Sequence, residues 1–188
     1  MILAQIFSVT VAIISSLSLP SAQAAPFPAT SSSSLIGSGI GRFLSEYGFS
    51  INSGHTTWVQ SPAPRGIPNL ATVYKSPKMQ NGIQASLSVR VDRLTESKSL
   101  KSYVKHWVKD YSRLGFEILS SKNVAINGQE GFMVDVINRD AAKQLRQIVF
   151  MREKTAVVLT CRDHRDTFEK TLNECNEIIR QFRWQNQI

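Results

Sequence analysis

The hydrophobic pattern of this 188-residue chain is clearest between positions 83 and 92, where apolar and polar residues alternate without exception. Successive side chains of a β-strand point to opposite faces of a sheet, so this period of two predicts a strand with one buried and one wet face. Apolar stretches bounded by turn-forming residues predict further strands at 49–51, 58–59, 69–75, 116–126, 132–136, 144–152 and 156–161. We expect the strand at 69–75 to be broken by Ser76-Pro77.

Two other segments repeat with the period of an amphipathic helix. The first runs from Ser99 to about Leu114, and Gly115 is a typical C-terminal stop. Its apolar face comprises Leu100, Tyr103, Val104, Trp107, Val108, Tyr111 and Leu114. The second helix is predicted to begin with a capping box, Asp166-x-x-Glu169, in which Asp166 is the cap. Its apolar stripe comprises Phe168, Leu172, Cys175, Ile179 and Phe182.

Tight turns separate several of the predicted strands. Asn127-Gly128 is the strongest hairpin signal in the chain, and Glu153-Lys154 predicts another turn. Strands joined by tight turns pair with antiparallel neighbours. The pattern therefore predicts an α+β domain, in which an antiparallel sheet is covered by at least two amphipathic helices.

The N-terminal segment has the composition of a signal peptide. Residues 2–19 are mostly apolar and uncharged, and Ala22-Gln23-Ala24 matches the small-x-small pattern that signal peptidase cuts after. Residues 1–24 are therefore predicted to be a signal peptide, although no basic residue precedes the apolar run; the alternative is a retained membrane anchor. Residues 25–46 are predicted to be a flexible leader rich in Ser, Gly and Pro, and residues 47–186 the folded domain.

The positive charge belongs entirely to the part that would be exported. Lys and Arg total 22 against 14 Asp and Glu, a formal net charge of +8, and every charged residue lies at Arg42 or later. A basic exported protein favours anionic partners. We therefore expect its partner to be an acidic protein or an envelope component, and the same charge allows peripheral contact with a membrane of anionic lipid. Nucleic acid is not expected outside the cytoplasm. We expect the protein to be a monomer, and to be located in the periplasm or secreted.

Five cations are predicted to form one ridge on the first helix, opposite its apolar face. This basic ridge comprises Lys98, Lys101, Lys105, Lys109 and Arg113, which fall within roughly 120° on a helical wheel. Such a ridge can face an acidic partner, or it can simply be a solvated helix surface. Further cations follow at Arg139, Lys143, Arg146, Arg152, Arg162 and Arg165. Whether they adjoin the basic ridge is a tertiary question.

The two cysteines allow two interpretations. Cys161 ends a predicted strand and Cys175 lies on the apolar stripe of the second helix, so they form either a disulfide or two buried thiols. Cys161 and His164 are also the best candidates for a metal site or a nucleophile pair, against the simpler reading of a strand end and a polar loop. No established catalytic motif is found, and neither a metal nor a cofactor is predicted.

The order of these elements resembles that of the PsbP-like domains. The resemblance is carried by Tyr47-Gly48-Phe49-Ser50-Ile51, Trp58, the long alternating strand, Ser99-Leu100-x-x-Tyr103, the hairpin from Ile126 to Phe132, and the closing helix. It implies an α/β/α sandwich around a central antiparallel sheet flanked by amphipathic helices. It also implies a non-enzymatic role, because PsbP-like proteins mostly bind other proteins. No functional residue of the family is matched.

Two functions from different classes therefore remain. The first is an exported, non-enzymatic accessory or binding protein that engages a protein complex or an anionic envelope component through its basic surface. The second is a small-ligand-binding protein or an enzyme with a scattered site near Cys161 and His164.

Overall fold

The computed structural model of the protein describes residues 41–185. The predicted signal peptide, residues 1–24, and the leader as far as residue 40 lie outside the described residues. The strands are β1 (Arg42–Ser45), β2 (Phe49–Asn52), β3 (Val59–Pro62), β4 (Leu70–Gln80), β5 (Ile83–Arg93), β6 (Glu117–Ile126), β7 (Gln129–Asn138), β8 (Lys143–Arg152), β9 (Thr155–His164) and β10 (Arg183–Trp184). The helices are α1 (Leu100–Val108), a 3-10 helix (Ser112–Leu114) and α2 (Phe168–Arg180).

The strands form two antiparallel sheets. The main sheet has seven strands in the order β3-β4-β5-β9-β8-β7-β6, and the small one has three in the order β1-β2-β10. The predicted Asn127-Gly128 hairpin joins β6 to β7, and both of its residues have the positive φ that a type I′ turn requires, 53° and 73°. Within residues 41–185, no helix is long and apolar enough to cross a membrane.

The main sheet buries both of its faces. Val157 and Val158, neighbours in β9, belong to different buried clusters, because alternate side chains of a strand point to opposite faces. One cluster joins β5, β8 and β9 to α2 and the small sheet, and the other joins β7, β8 and β9 to α1. The two helices therefore pack against opposite faces.

The folded domain begins earlier than the predicted boundary at residue 47. β1 lies inside the segment predicted to be leader, where it pairs antiparallel with β2 from Arg42 opposite Asn52 to Ser45 opposite Phe49. Ser45 is buried, and Phe43 packs against the core. Tertiary pairing therefore gives structure to a stretch whose composition alone indicated a linker.

The strand predicted at 69–75 continues through Ser76-Pro77 as β4. The register of β4 against β5 shifts between Lys75 and Met79, which accommodates the proline. On its other side, β4 is paired with β3 only as far as Lys75. Pro77 therefore lies at a free edge, where its missing N–H leaves no ladder bond unmade.

The first helix is shorter than its apolar period predicts. α1 ends at Val108, and the next bonds are i→i−3: Asp110 N–H donates to the Trp107 carbonyl at 3.1 Å and Tyr111 N–H to the Val108 carbonyl at 3.2 Å. These bonds tighten the chain into 3-10 geometry. Tyr111 stays buried, whereas Leu114 is 63% exposed and leaves the predicted apolar face. Gly115 ends the segment in the left-handed region, as predicted.

Candidate functional site

Helix α1 is fixed to the sheet through its first two turns. The Ser99 hydroxyl caps the helix by accepting from the Ser102 N–H at 3.2 Å. The buried Tyr103 hydroxyl donates to the Asp92 carboxylate, which also pairs with Arg90 at 2.9 Å. Burial, followed by the hydrogen bond to Asp92, raises the pKa of Tyr103 to about 12. The opposite side of α1 therefore faces away from the sheet.

All five residues of the basic ridge are exposed. The shorter helix divides them, because only Lys101 and Lys105 lie within α1, while Lys98 precedes the Ser99 cap and Lys109 is the C-terminal cap. Arg113, in the 3-10 helix, pairs with Asp110 at 2.8 Å. Within residues 41–185, none of the four lysines has an acidic partner at ion-pair distance. Their charges are thus not compensated by an acidic side chain of the described residues.

A cleft of about 640 Å³ adjoins the beginning of the basic ridge. It lies between the β1–β2 turn, the end of β5, the β8–β9 turn and Gln185. Three cations line it, Arg93, Arg152 and Lys154, together with the carboxylates Glu46 and Glu153. Ser97 is also in the wall, so chain continuity places Lys98 beside the cleft.

Five of the six further cations named in the sequence analysis do not join this surface. Arg139 pairs with Glu117 at 2.9 Å, Arg146 with Asp135 at 2.7 Å and Arg165 with Asp166 at 3.2 Å. Lys143 begins β8 and Arg162 lies opposite Leu145 near that end, whereas the cleft is at the other end of the same strands. Arg152 is therefore the one member of that group in the cleft wall.

Cys161 and His164 do not form a joint site. Cys161 is bonded to Cys175 in a disulfide with a Cα–Cα separation of 6.2 Å, and both residues are buried. The side chains three positions apart in β9 point to opposite faces of the sheet, so His164 lies away from Cys161. The His164 ring nitrogen Nδ1 accepts instead from the Asp166 backbone N–H at 3.2 Å. The part of the chain that the structure describes contains no group of three or more metal-ligating side chains.

Asp163 has a structural role that differs from the predicted capping box. The cap of α2 is Thr167 rather than Asp166, and it makes no side-chain capping bond. The buried Asp163 carboxylate instead accepts from the hydroxyls of Thr167 at 2.9 Å and Thr171 at 2.8 Å. The Asp-x-x-x-Thr-x-x-x-Thr spacing on a helix entry was the available signal for this contact.

The cleft had no comparable signal in the sequence. The Arg152 guanidinium donates to the Gly48 carbonyl, 104 positions away, and to the Gln185 carbonyl. A Cβ on Gly48 would lie 2.8 Å from the Arg152 Nη2, so glycine permits this close approach. No local period predicts contacts between such distant segments.

Comparison with solved structures identifies the fold. No protein-family model matches this chain, and no curated protein sequence matches it. The solution structure of cyanobacterial PsbP (CyanoP) from Synechocystis sp. PCC 6803 is similar with a TM-score of 0.57 and 13% identity, covering 84% of this chain and 99% of CyanoP. A protein of unknown function from Pseudomonas aeruginosa is similar with a TM-score of 0.57 and 12% identity, covering 79% and 99% of the two chains. The chain therefore has a PsbP-like fold.

Proposed function

We propose that this protein is an exported accessory protein without enzymatic activity, and that it binds an acidic protein or an anionic envelope component through the basic ridge. The observation that carries the proposal is the set of four exposed lysines that have no acidic partner within residues 41–185, beside a cleft with three further cations. Export is supported by the sequence of residues 1–24 and by the disulfide, which persists in oxidising compartments. The α/β/α layering is part of the proposal, supported by two clusters on opposite sheet faces.

A surface of this kind contributes to binding mainly through charge complementarity. Unpaired lysines attract an acidic surface over about one Debye length, roughly 10 Å at 0.1 M salt, and they increase the rate of encounter. Lys101 and Lys105 are one helical turn apart on the exposed side of α1. Their mutual repulsion, a few tenths of a kcal/mol, is relieved when an anionic partner binds.

The direct test reverses the charge of the central ridge. The triple substitution Lys101→Glu, Lys105→Glu and Lys109→Glu is expected to weaken capture of the partner from an envelope fraction about tenfold or more. The matched control is Lys75→Glu, Lys78→Glu and Lys170→Glu, which are exposed on β4 and α2. In both variants three reversals of two units each lower the formal net charge from +8 to +2. Quantitative mass spectrometry of the captured proteins measures the difference.

The control distinguishes a specific surface from overall charge. Equal loss of capture in both variants would show that net charge alone is responsible, and unchanged capture in the ridge variant would refute the proposal. Sedimentation with vesicles of anionic or neutral phospholipid decides whether the bound component is lipid. If the original protein binds the anionic vesicles and the ridge variant does not, the envelope component is the membrane surface.

A further inference from the structure

The three cations of the cleft are held in place by neutral groups. The Arg152 guanidinium donates to the Gln185 carbonyl at 2.8 Å and to the Gly48 carbonyl at 3.2 Å. It also lies 4.5 Å from the centre of the Trp184 ring, which is held by an edge contact with Phe182 at 5.2 Å. An arginine carries five N–H donors, so the two carbonyl bonds leave others unused. Arg152 is thus oriented without being neutralised.

The other two cations are held in the same way. The Arg93 guanidinium lies 5.5 Å from the centre of the Tyr47 ring, and the Lys154 ammonium donates to the Thr95 carbonyl at 3.1 Å. Within the described residues, no carboxylate pairs with Arg93, Arg152 or Lys154. The two carboxylates in the wall are exposed, and the lining keeps a formal charge of three minus two, or +1.

A second groove of the molecule provides a contrast. It occupies about 560 Å³ between β6 and α2, and the cations Lys122, Arg146 and Arg180 line it. Its two arginines are paired, Arg146 with Asp135 at 2.7 Å and Arg180 with Glu177 at 3.0 Å, and of the three cations only Lys122 lacks an ion pair within residues 41–185. Charges paired in this way are compensated within the protein. The cleft beside α1 differs because none of its three cations has an acidic partner among residues 41–185.

We propose that this cleft binds an oxyanion, a carboxylate or a phosphate group, through Arg152, Lys154 and Arg93. Charge-assisted hydrogen bonds to such groups are about twice as strong as neutral ones, and guanidinium donors match the spacing of oxyanion oxygens. Fixing the donors before binding reduces the entropic cost of forming the complex. The proposal goes beyond partner binding by the basic ridge, because it needs none of the α1 lysines.

Titration of the full chain with small anions tests this proposal. Inorganic phosphate and citrate are added at constant ionic strength, with chloride as the reference, and the backbone amide signals of Gly48, Lys154, Thr155 and Gln185 are followed by NMR. We expect saturable shifts confined to these residues. Response to phosphate alone, to citrate alone or to both supports the proposal and identifies which oxyanion the cleft accepts. No saturable response to either anion relative to chloride would overturn it.

Substitutions of the cations that line the cleft provide a second test of the proposal. Arg93→Gln and Lys154→Gln, at exposed positions, are each expected to raise Kd about tenfold, the loss of one charge-assisted contact. Arg152→Lys keeps the charge but not the planar donor group, and it is also expected to raise Kd about tenfold. Lys170→Gln, with the same charge loss on α2, should change Kd less than about twofold.

The outcomes separate this site from the basic ridge. Anion affinity that is unchanged by both Arg93→Gln and Lys154→Gln, in variants with native melting temperatures, would refute the site. The triple ridge variant should bind phosphate or citrate with the affinity of the original protein. Loss of anion binding in that variant would show that the α1 lysines, rather than the cleft, hold the anion.

Discussion

At the scale of single residues, the attachment of α1 depends on a neutral tyrosine beside a carboxylate. Tyr103 can donate to Asp92 only while its hydroxyl carries a proton. Its ionisation would place a phenolate against the carboxylate in a buried position. Arg90, bonded to the same carboxylate at 2.9 Å, offsets part of that repulsion. The sequence indicated Tyr103 as a core residue, but the partner Asp92 was predicted only to be on the wet face of its strand.

This contact predicts a specific loss of stability at high pH. The pKa of Tyr103 is raised to about 12 in the folded protein from an ordinary value of 10.0, so its contribution is complete below pH 10 and is lost as the pH rises towards 12. The free energy of unfolding in urea, measured at about pH 8, 10 and 11, should fall less steeply for Tyr103→Phe. The variant should also be about 1 kcal/mol less stable at pH 8. An identical pH slope in both proteins would contradict the assignment.

At the scale of elements, the strands and helices were largely predictable because their periods are local. The alternation of β5 and the Asn127-Gly128 hairpin are confirmed. The end of α1, the continuation of β4 and the cap of α2 were predicted wrongly. The causes differ: local 3-10 bonds end α1 before Gly115, a free sheet edge accepts Pro77 in β4, and Asp163 at the end of β9 accepts from Thr167 at the start of α2.

The disulfide joins two of these elements, β9 and α2. Cys161 and Cys175 are 14 positions apart in the chain, and both are buried. Closing a loop of about this length stabilises a protein by about 3 kcal/mol, mainly by restricting the unfolded chain. Urea unfolding of the oxidised protein and of protein refolded in reductant should differ by that amount. A difference below about 1 kcal/mol would show that the packing of α2 on β9 suffices without the crosslink.

At the scale of the whole molecule, the compartment determines which anionic partners a protein with a net charge of +8 can meet. The segment 1–24 lies outside the described residues, and its role stays a prediction. N-terminal sequencing of the protein from the extracytoplasmic fraction should read Ala25-Pro26-Phe27, because signal peptidase cuts after Ala22-Gln23-Ala24. A chain beginning at Met1 in the membrane pellet would instead indicate a retained anchor, and the basic ridge would then lie close to lipid headgroups.

The sequence by itself determined the features that depend on short-range order: the strand and helix periods, the order of elements that resembles PsbP-like domains, and the excess of cations. From the sequence, the state of Cys161 and Cys175 was limited to two alternatives, a disulfide or two buried thiols. Tertiary structure decided which cations remain uncompensated, because ion pairs such as Arg146–Asp135 form across strands. It alone produced the cleft, since Gly48, Arg152 and Gln185 meet only when the two ends of the domain pack together. The hydrophobic period of a strand or helix specifies which face a side chain occupies. The residues that this side chain contacts depend on how segments distant in the sequence pack together.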